Sequence, residues 1–500
     1  MKNKITVIGG GLAGCEAAYQ IARRGIDVEL LEMKPSKKTA AHKSDNLAEL
    51  VCSNSLKAMR PDSAAGLLKE EMRKLGSVCL EAADKASVAA GGALAVDRDI
   101  FSCLITEKIK NCPNITVKEE LVADIPKDGI TVIATGPLTD GKLANKIGEL
   151  CEGGNLSFYD AAAPIVTAES VDMTKAFCAS RYGKGGDDYI NCPMNKEEYT
   201  VFYNELINAE SALLHGFDKP PKVYEVCMPI EVLAKRGEDS IRFGPLKPVG
   251  LRDSKTGHRP WAAVQLRREN SAGTLYNLVG FQTNLKFPEQ KRVFSMIPGL
   301  ENAEFMRYGV MHRNTFINSP KLLNRNLALK SNGSVFFAGQ LSGVEGYMES
   351  AASGIIAGIN AAALLKDEKP LILPEFTMIG ALLNYICDES VADFQPMGAN
   401  FGIIPPLENH IRDKRERYAA LSARSPSALL SPLPSASIIR CAPSPFHPAF
   451  AVSAVSTTPP RLLLEWMTVP CSVTSPVWLT SPVPTPMNAS MPGFAPEMPA

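Results

Sequence analysis

Two of the twelve cysteines sit in settings that suit thiolate chemistry. Cys52 lies in the polar run Val51-Cys52-Ser53-Asn54-Ser55-Leu56-Lys57, where nearby cations and backbone amides favour ionisation of a thiol. Cys227 ends the run Glu225-Val226-Cys227, just ahead of Met228, Pro229, Glu231 and the pair Lys235-Arg236. A thiolate adds to an electron-poor carbon and can later be expelled from it. On residue type alone each thiol suits a buried structural role as well, and for Cys227 the period-two packing of a strand favours that role. The other ten are scattered and suit reduced core positions. No CxxC pair occurs, which argues against a zinc ribbon or a dithiol reductase, and no metal centre is expected. Glu345, Glu349 and Asp97 are candidate bases, each equally suited to structural hydrogen bonding. Tyr347 could stack on a planar cofactor or fill the core.

Such groups must be held by something, and the N-terminus shows what. Ile5-Thr6-Val7-Ile8 is an apolar strand, and Gly9-Gly10-Gly11-Leu12-Ala13-Gly14 is a glycine turn opening a helix. Val28-Glu29-Leu30-Leu31-Glu32 is a second strand with an acidic end. Gly9 permits the turn, Gly11 lets the backbone approach a pyrophosphate, and Gly14 lets the helix pack against the strand. The helix N-terminus offers amides to the phosphates. Glu32, 18 residues after Gly14, is placed to accept from the ribose hydroxyls. A second unit follows near the far end: Ser334 to Phe337, Ala338-Gly339-Gln340, then Gly343 to Gly346-Tyr347 and Gly354, and an alanine-rich helix to Leu365. Thr131 to Gly136 is a third strand of the kind that backs a cofactor. Two glycine units with no second complete GxGxxG favour FAD, the second helix N-terminus being able to stabilise charge on a reduced ring.

The expected fold class is α/β: a discontinuous Rossmann-like FAD-binding domain, 1–174 and 326–423, with an inserted mixed α+β domain at 175–325. Tyr199 to Tyr203, Val223 to Met228 and Leu275 to Phe281 are expected strands; Glu375 to Ile386 and Ile411 to Ala423 are expected helices. Lys and Arg number 53, as do Asp and Glu, so only local clusters can speak for a nucleic acid. Arg252, Lys255, His258, Arg259 and Trp261 form one such cluster, with Arg267-Arg268 and Arg307, His312, Arg313 beyond it. They interleave cations with aromatics, as contacts to an unpaired RNA loop require, though a solvated face has the same composition. No secretory signal and no run of eighteen apolar residues is present, so a soluble cytoplasmic protein without a membrane partner is expected. From Ser425 to Ala500 the chain holds sixteen prolines and eighteen Ser or Thr, with four charged residues. Such a tail cannot pack a core. It breaks off a helical pattern abruptly, which marks 424–500 as disordered or as non-native sequence from a shifted reading frame.

Taken with the glycine fingerprint, three motifs carry a family resemblance: Val51 to Lys57, Gly91-Gly92-Ala93-Leu94-Ala95-Val96-Asp97-Arg98, and Ser180-Arg181-Tyr182, alongside Phe337 to Gly354. The chain resembles the folate- and FAD-dependent tRNA uracil-5-methyltransferases, the TrmFO family, from Met1 to about Ala420. The tail departs from that family. The resemblance implies FAD, methylenetetrahydrofolate as carbon donor and NAD(P)H as reductant. It also implies catalytic roles for Cys52 and Cys227, and methylation of a T-loop uridine (position 54) in the tRNA elbow. A thiolate adding at carbon 6 of uracil makes carbon 5 nucleophilic, a base then removes the carbon-5 proton, and hydride reduces the methylene. That uridine must be swung out of the elbow, and Gly183, Gly185 and Gly186 suit a mobile gate. Two rival readings are a GidA-type wobble-uridine flavoprotein, which is longer, and a flavin oxidoreductase acting on a small molecule. Oligomeric state is not legible.

Overall fold

A computed structural model describes residues 4–428 apart from 40, 140, 152–155, 184, 213–227, 392–393 and 410. The strands read first in the sequence form a five-stranded parallel sheet, in the order Val335–Phe337, Ile130–Ile133, Lys4–Ile8, Asp27–Glu32, Ile115–Glu119. Ile5, Val7, Leu30, Val132, Ile133 and Phe337 are almost completely buried, as a parallel sheet covered on both faces demands. The helix Leu12–Ala22 lies against the helix Tyr347–Leu365 with unusually little between them. A Cβ placed on Gly354 would come within 2.2 Å of the Ala13 carbonyl oxygen, and one on Gly358 within 2.6 Å of that of Ala17. Glycine there is a packing requirement. Tyr347–Leu365 is long and apolar enough to cross a membrane, yet it is buried as a core helix.

A second core lies beneath a six-stranded sheet whose every pairing is antiparallel: Phe177–Cys178, Tyr189–Met194, Ala262–Arg268, Leu275–Leu278, Ile165–Thr167, Phe305–Arg307. On the strand Ala262–Arg268 the side chains alternate as the pleat requires. Val264 and Leu266 enter this core, while Ala263, Gln265 and Arg267 face the other way.

One expected strand is a helix. Tyr199 to Tyr203 falls inside Lys196–Asn208, which buries Tyr199, Phe202 and Leu206. Local aromatic and β-branched content favours a strand there, but the i, i+3, i+7 spacing and a capping box between Asn195 and Glu198 favour the helix, and they win. Val223 to Cys227 lies outside the described residues. The helices expected near 375 and 411 are Met378–Cys387 and Lys414–Ala428. The latter runs past residue 424: Leu421, Ser422 and Ser425 are buried, and Ser425 Oγ donates to Glu71 Oε1 at 2.6 Å.

Candidate functional site

The first glycine turn works by leaving side chains out. Gly9 has φ +100°, and a Cβ there would meet the Ala134 carbonyl oxygen at 2.6 Å; at Gly14 it would meet the Gly9 carbonyl oxygen at 1.8 Å. Gly11 and Gly136 are different, because a Cβ on either would enter open space. Gly10 N donates to Glu32 Oε2 at 2.6 Å and Lys34 N to Oε1 at 2.9 Å, so the carboxylate ties the turn to the end of the second strand. Gly9, Gly10, Gly11 and Glu32 line a cavity of ≈ 100 Å³. Leu12 and Ala13 start the helix behind it and are buried, Ala13 lying against Gly339.

A larger cavity, ≈ 440 Å³, shares the wall residue Leu138 with the first. Cys52, Lys57, Asp160, Gln340, Glu345 and Tyr347 line it. Gly346, φ +118°, caps Tyr347–Leu365 with no side-chain acceptor on the first amides. Tyr347 Oη is 3.0 Å from Cys52 Sγ and accepts from Cys52 N at 2.8 Å and Ser53 N at 3.3 Å. The tyrosine is therefore a clamp on the cysteine as well as a ring packed against the main core. Burial, then the charge of Asp160, push the Cys52 thiol up to about 12, against the pull of Tyr347 and Arg98. The expectation that cations and amides favour its thiolate is thus outweighed, in the protein alone, by desolvation. Gln340 Nε2 donates to the Glu345 carboxylate; burial and Asp160 push that carboxyl up to about 8. Of the other candidate bases, Glu349 pairs with Lys57 at 2.6 Å and accepts from Ala399 N. Asp97 is structural: it caps the helix Arg98–Lys110 and accepts from Ser271.

The basic clusters divide. Arg252, Lys255, His258 and Arg259 are exposed on one loop. Trp261 is half-buried beneath the Arg242 guanidinium, 3.6 Å from its ring centre. Arg267 and Arg307 are not on that surface. Arg267 Nε donates to Asn54 Oδ1 at 2.9 Å and Nη2 to Ser53 Oγ at 3.0 Å; Arg307 Nη2 donates to the Val51 carbonyl oxygen. Arg98 Nη1 donates to the Leu50 carbonyl oxygen at 2.7 Å, and its guanidinium pairs with Glu269. In the sequence Arg267 and Arg307 fall in the basic clusters, and nothing local links them, or Arg98, to the backbone around residue 52. The His312 and Arg313 side chains and the whole of Cys227 lie outside the described residues. In the glycine loop, a Cβ on Gly185 would approach Gly91 Cα to 2.8 Å, so the loop is seated on the Gly91 turn.

Comparison with known proteins gives a consistent result. Residues 4–369 match the family model of glucose inhibited division protein A. The methylenetetrahydrofolate–tRNA-(uracil-5-)-methyltransferase TrmFO of Acetivibrio thermocellus is 60% identical over 425 residues, 85% of this chain and 97% of that protein. The proteins of the same name from Lactobacillus gasseri and Enterococcus faecalis are each 56% identical over 425 residues. Two crystal forms of Aquifex aeolicus GidA share the fold at a TM-score of 0.58 and 18% and 19% identity, over 77% of this chain and 67% and 69% of theirs. With a likeness at this level along nearly the whole length of its relatives, the chain belongs to the TrmFO family.

Proposed function

We propose that this protein methylates carbon 5 of a T-loop uridine in tRNA, taking the carbon from methylenetetrahydrofolate and using FAD and NAD(P)H, as a cytoplasmic enzyme. The observation that carries the reading is the 60% identity to a protein so named over 97% of that protein's length. The proposed domain division is a cofactor domain at 1–174 and 326–423 around an insertion at 175–325, with the strand Ile165–Thr167 pairing into the inserted sheet.

The residues fit a dinucleotide: the open space at Gly11 and the carboxylate of Glu32 border one cavity, and a Cβ on Gly136 would likewise meet nothing. Gly9, Gly10, Gly11, Leu12, Ala13, Gly14 and Glu32 would hold the adenosine and pyrophosphate end, and Gly136, Gly339, Gln340, Gly346 and Tyr347 the ring end. FAD bound there would supply the reducing equivalents that take a methylene group to a methyl group. The chain's own part is acid–base and nucleophilic. Cys52 and Cys227 provide the two thiols, one adding to carbon 6 of uracil and the other shielding the transferred carbon. Carbon 5, now an enolate carbon, bonds to the methylene carbon as that carbon's bond to its carrier nitrogen breaks, and the carbon-5 proton passes to a carboxylate. Glu345 lines the same cavity as Cys52, and burial with the charge of Asp160 raises its carboxyl to about 8, so it is the carboxylate we assign as base. Hydride arriving at the exocyclic methylene would make it a methyl group and drive the thiolate off carbon 6, restoring the ring.

The test is direct. Unmodified tRNA transcript, incubated with methylenetetrahydrofolate, NAD(P)H and FAD, should gain one methyl group on a T-loop uridine. Methylation at no uridine, or modification confined to the wobble base, overturns the reading.

A further inference from the structure

Arg267 is an odd place to find a guanidinium. It is only 8% exposed, and its two hydrogen bonds go to neutral acceptors, Ser53 Oγ and Asn54 Oδ1. A buried cation ordinarily has a carboxylate of its own. The carboxylate nearby, Glu269, forms its ion pair with Arg98 and attracts Arg267 only at longer range. Asn54, fully buried, is held at its other end by the carbonyl oxygens of Val96 at 3.1 Å and Arg268 at 3.0 Å. The two residues after the thiol are therefore fixed by a charge delivered from the antiparallel sheet.

We propose that Arg267 is a positioning residue for Cys52, setting the aim and reactivity of the thiol through Ser53 and Asn54, and is not a phosphate contact. Its importance for turnover rests on the methyl-transfer reading above; the geometry does not. The groups around the thiol are Tyr347 at the start of its helix, Asp160 on the strand Leu156–Ala161, Glu345, and the guanidinium groups of Arg98, Arg307 and Arg267 with Glu269. The carboxylates oppose ionisation of Cys52. Arg267 and Arg307 are both attracted to its thiolate. Removing the Arg267 charge takes away one of the forces offsetting desolvation and frees the backbone that aims the sulfur.

The full-length holoenzyme carrying Arg267→Gln, Arg267→Lys or Ser53→Ala tests this. Iodoacetamide alkylation of Cys52 is followed by peptide mass mapping from pH 7 to 9, with exposed Cys103 as the internal reference. Arg267→Gln should slow Cys52 alkylation about tenfold at every pH, one unit of thiol pKa. It should lower kcat similarly with KM for tRNA within twofold and flavin retained. Arg267→Lys should recover part of the rate, since it restores charge without the fork. Unchanged alkylation and kcat with a raised KM would make Arg267 an RNA contact and overturn the proposal. Should Arg267→Gln fail to fold, Ser53→Ala decides, because it removes one acceptor and leaves the charge: several-fold slower alkylation supports the proposal and an unchanged rate defeats it. If the wild type methylates nothing, the functional reading fails while the alkylation series still judges Arg267.

Discussion

The two walls of the site are built on opposite plans. Around Gly9–Gly14 the chain makes room by omitting atoms, and what remains is backbone, open space and one carboxylate. Around Cys52 it does the reverse: Arg98, Arg267, Arg307 and Tyr347, drawn from four separate elements, hold five consecutive residues by backbone and side chain. The first wall should be broken by adding atoms and the second by removing them. On the proposed reading, that contrast suits a site in which a large cofactor is accommodated and a thiol is aimed.

The largest effect should come from removal at the aimed wall. Cys52→Ala is expected to cut methyl transfer by about 1,000-fold or more while the protein stays yellow, since on the proposed reading no neighbouring group can replace either of the two thiols. A 5-fluorouridine tRNA, which cannot lose fluorine as a proton is lost, should trap the attacking thiol and assign the two cysteine roles. Addition at the open wall comes next. Gly11→Glu should fold normally but purify without flavin, because its side chain enters free space where pyrophosphate oxygens belong. Gly14→Ala should instead lose stability, by about 1–3 kcal/mol, since it collides with backbone. Equal stability for the two variants in thermal melts would dissolve the contrast.

Smaller effects sharpen it. Glu345, raised to about 8, is protonated below that pH and ionises above it, so methyl transfer should rise with pH through about 8. Glu345→Gln should lose that limb. The same shift makes a stability statement: the folded value lies above the unfolded one, about 4.3, so the stabilisation present in acid is lost as pH rises through 8. Glu345→Gln should therefore melt higher relative to wild type at pH 9 than at pH 5. The smallest change concerns the C-terminal helix. Cutting after Ala428 should leave stability and flavin binding intact, whereas cutting after Ala423 removes the hydroxyl donating to buried Glu71 and should cost about 1–3 kcal/mol.

Much of the open wall is legible in the sequence, because a strand, its glycine turn and the next strand are contiguous, although Gly9 also makes room for Ala134 at the end of a distant strand. The acidic end of the motif is less so. Glu32 was expected to face a ribose; it also closes the turn through Gly10 and Lys34, a contact that spacing alone does not reveal. The aimed wall is legible only at Cys52 itself. Arg267 and Arg307 are more than 200 residues away in the chain, and a cation beside an aromatic reads as an RNA surface until the fold turns it inward. Tyr199 to Tyr203 misleads for a different reason: its short-range strand propensity hides the helical spacing around it.

The close approach of Gly354 and Gly358 to Ala13 and Ala17 also has a consequence for synthesis on the ribosome. The partner of the first helix emerges about 340 residues after it, roughly 20–70 s later at ~5–20 residues/s. Until then the alanine face of Leu12–Ala22 and one edge of the strand Ile130–Ile133 have no native cover. The nascent chain therefore carries an unfinished cofactor fold through most of its translation. That interval is when a chaperone would find this protein, and when free FAD has nothing complete to bind.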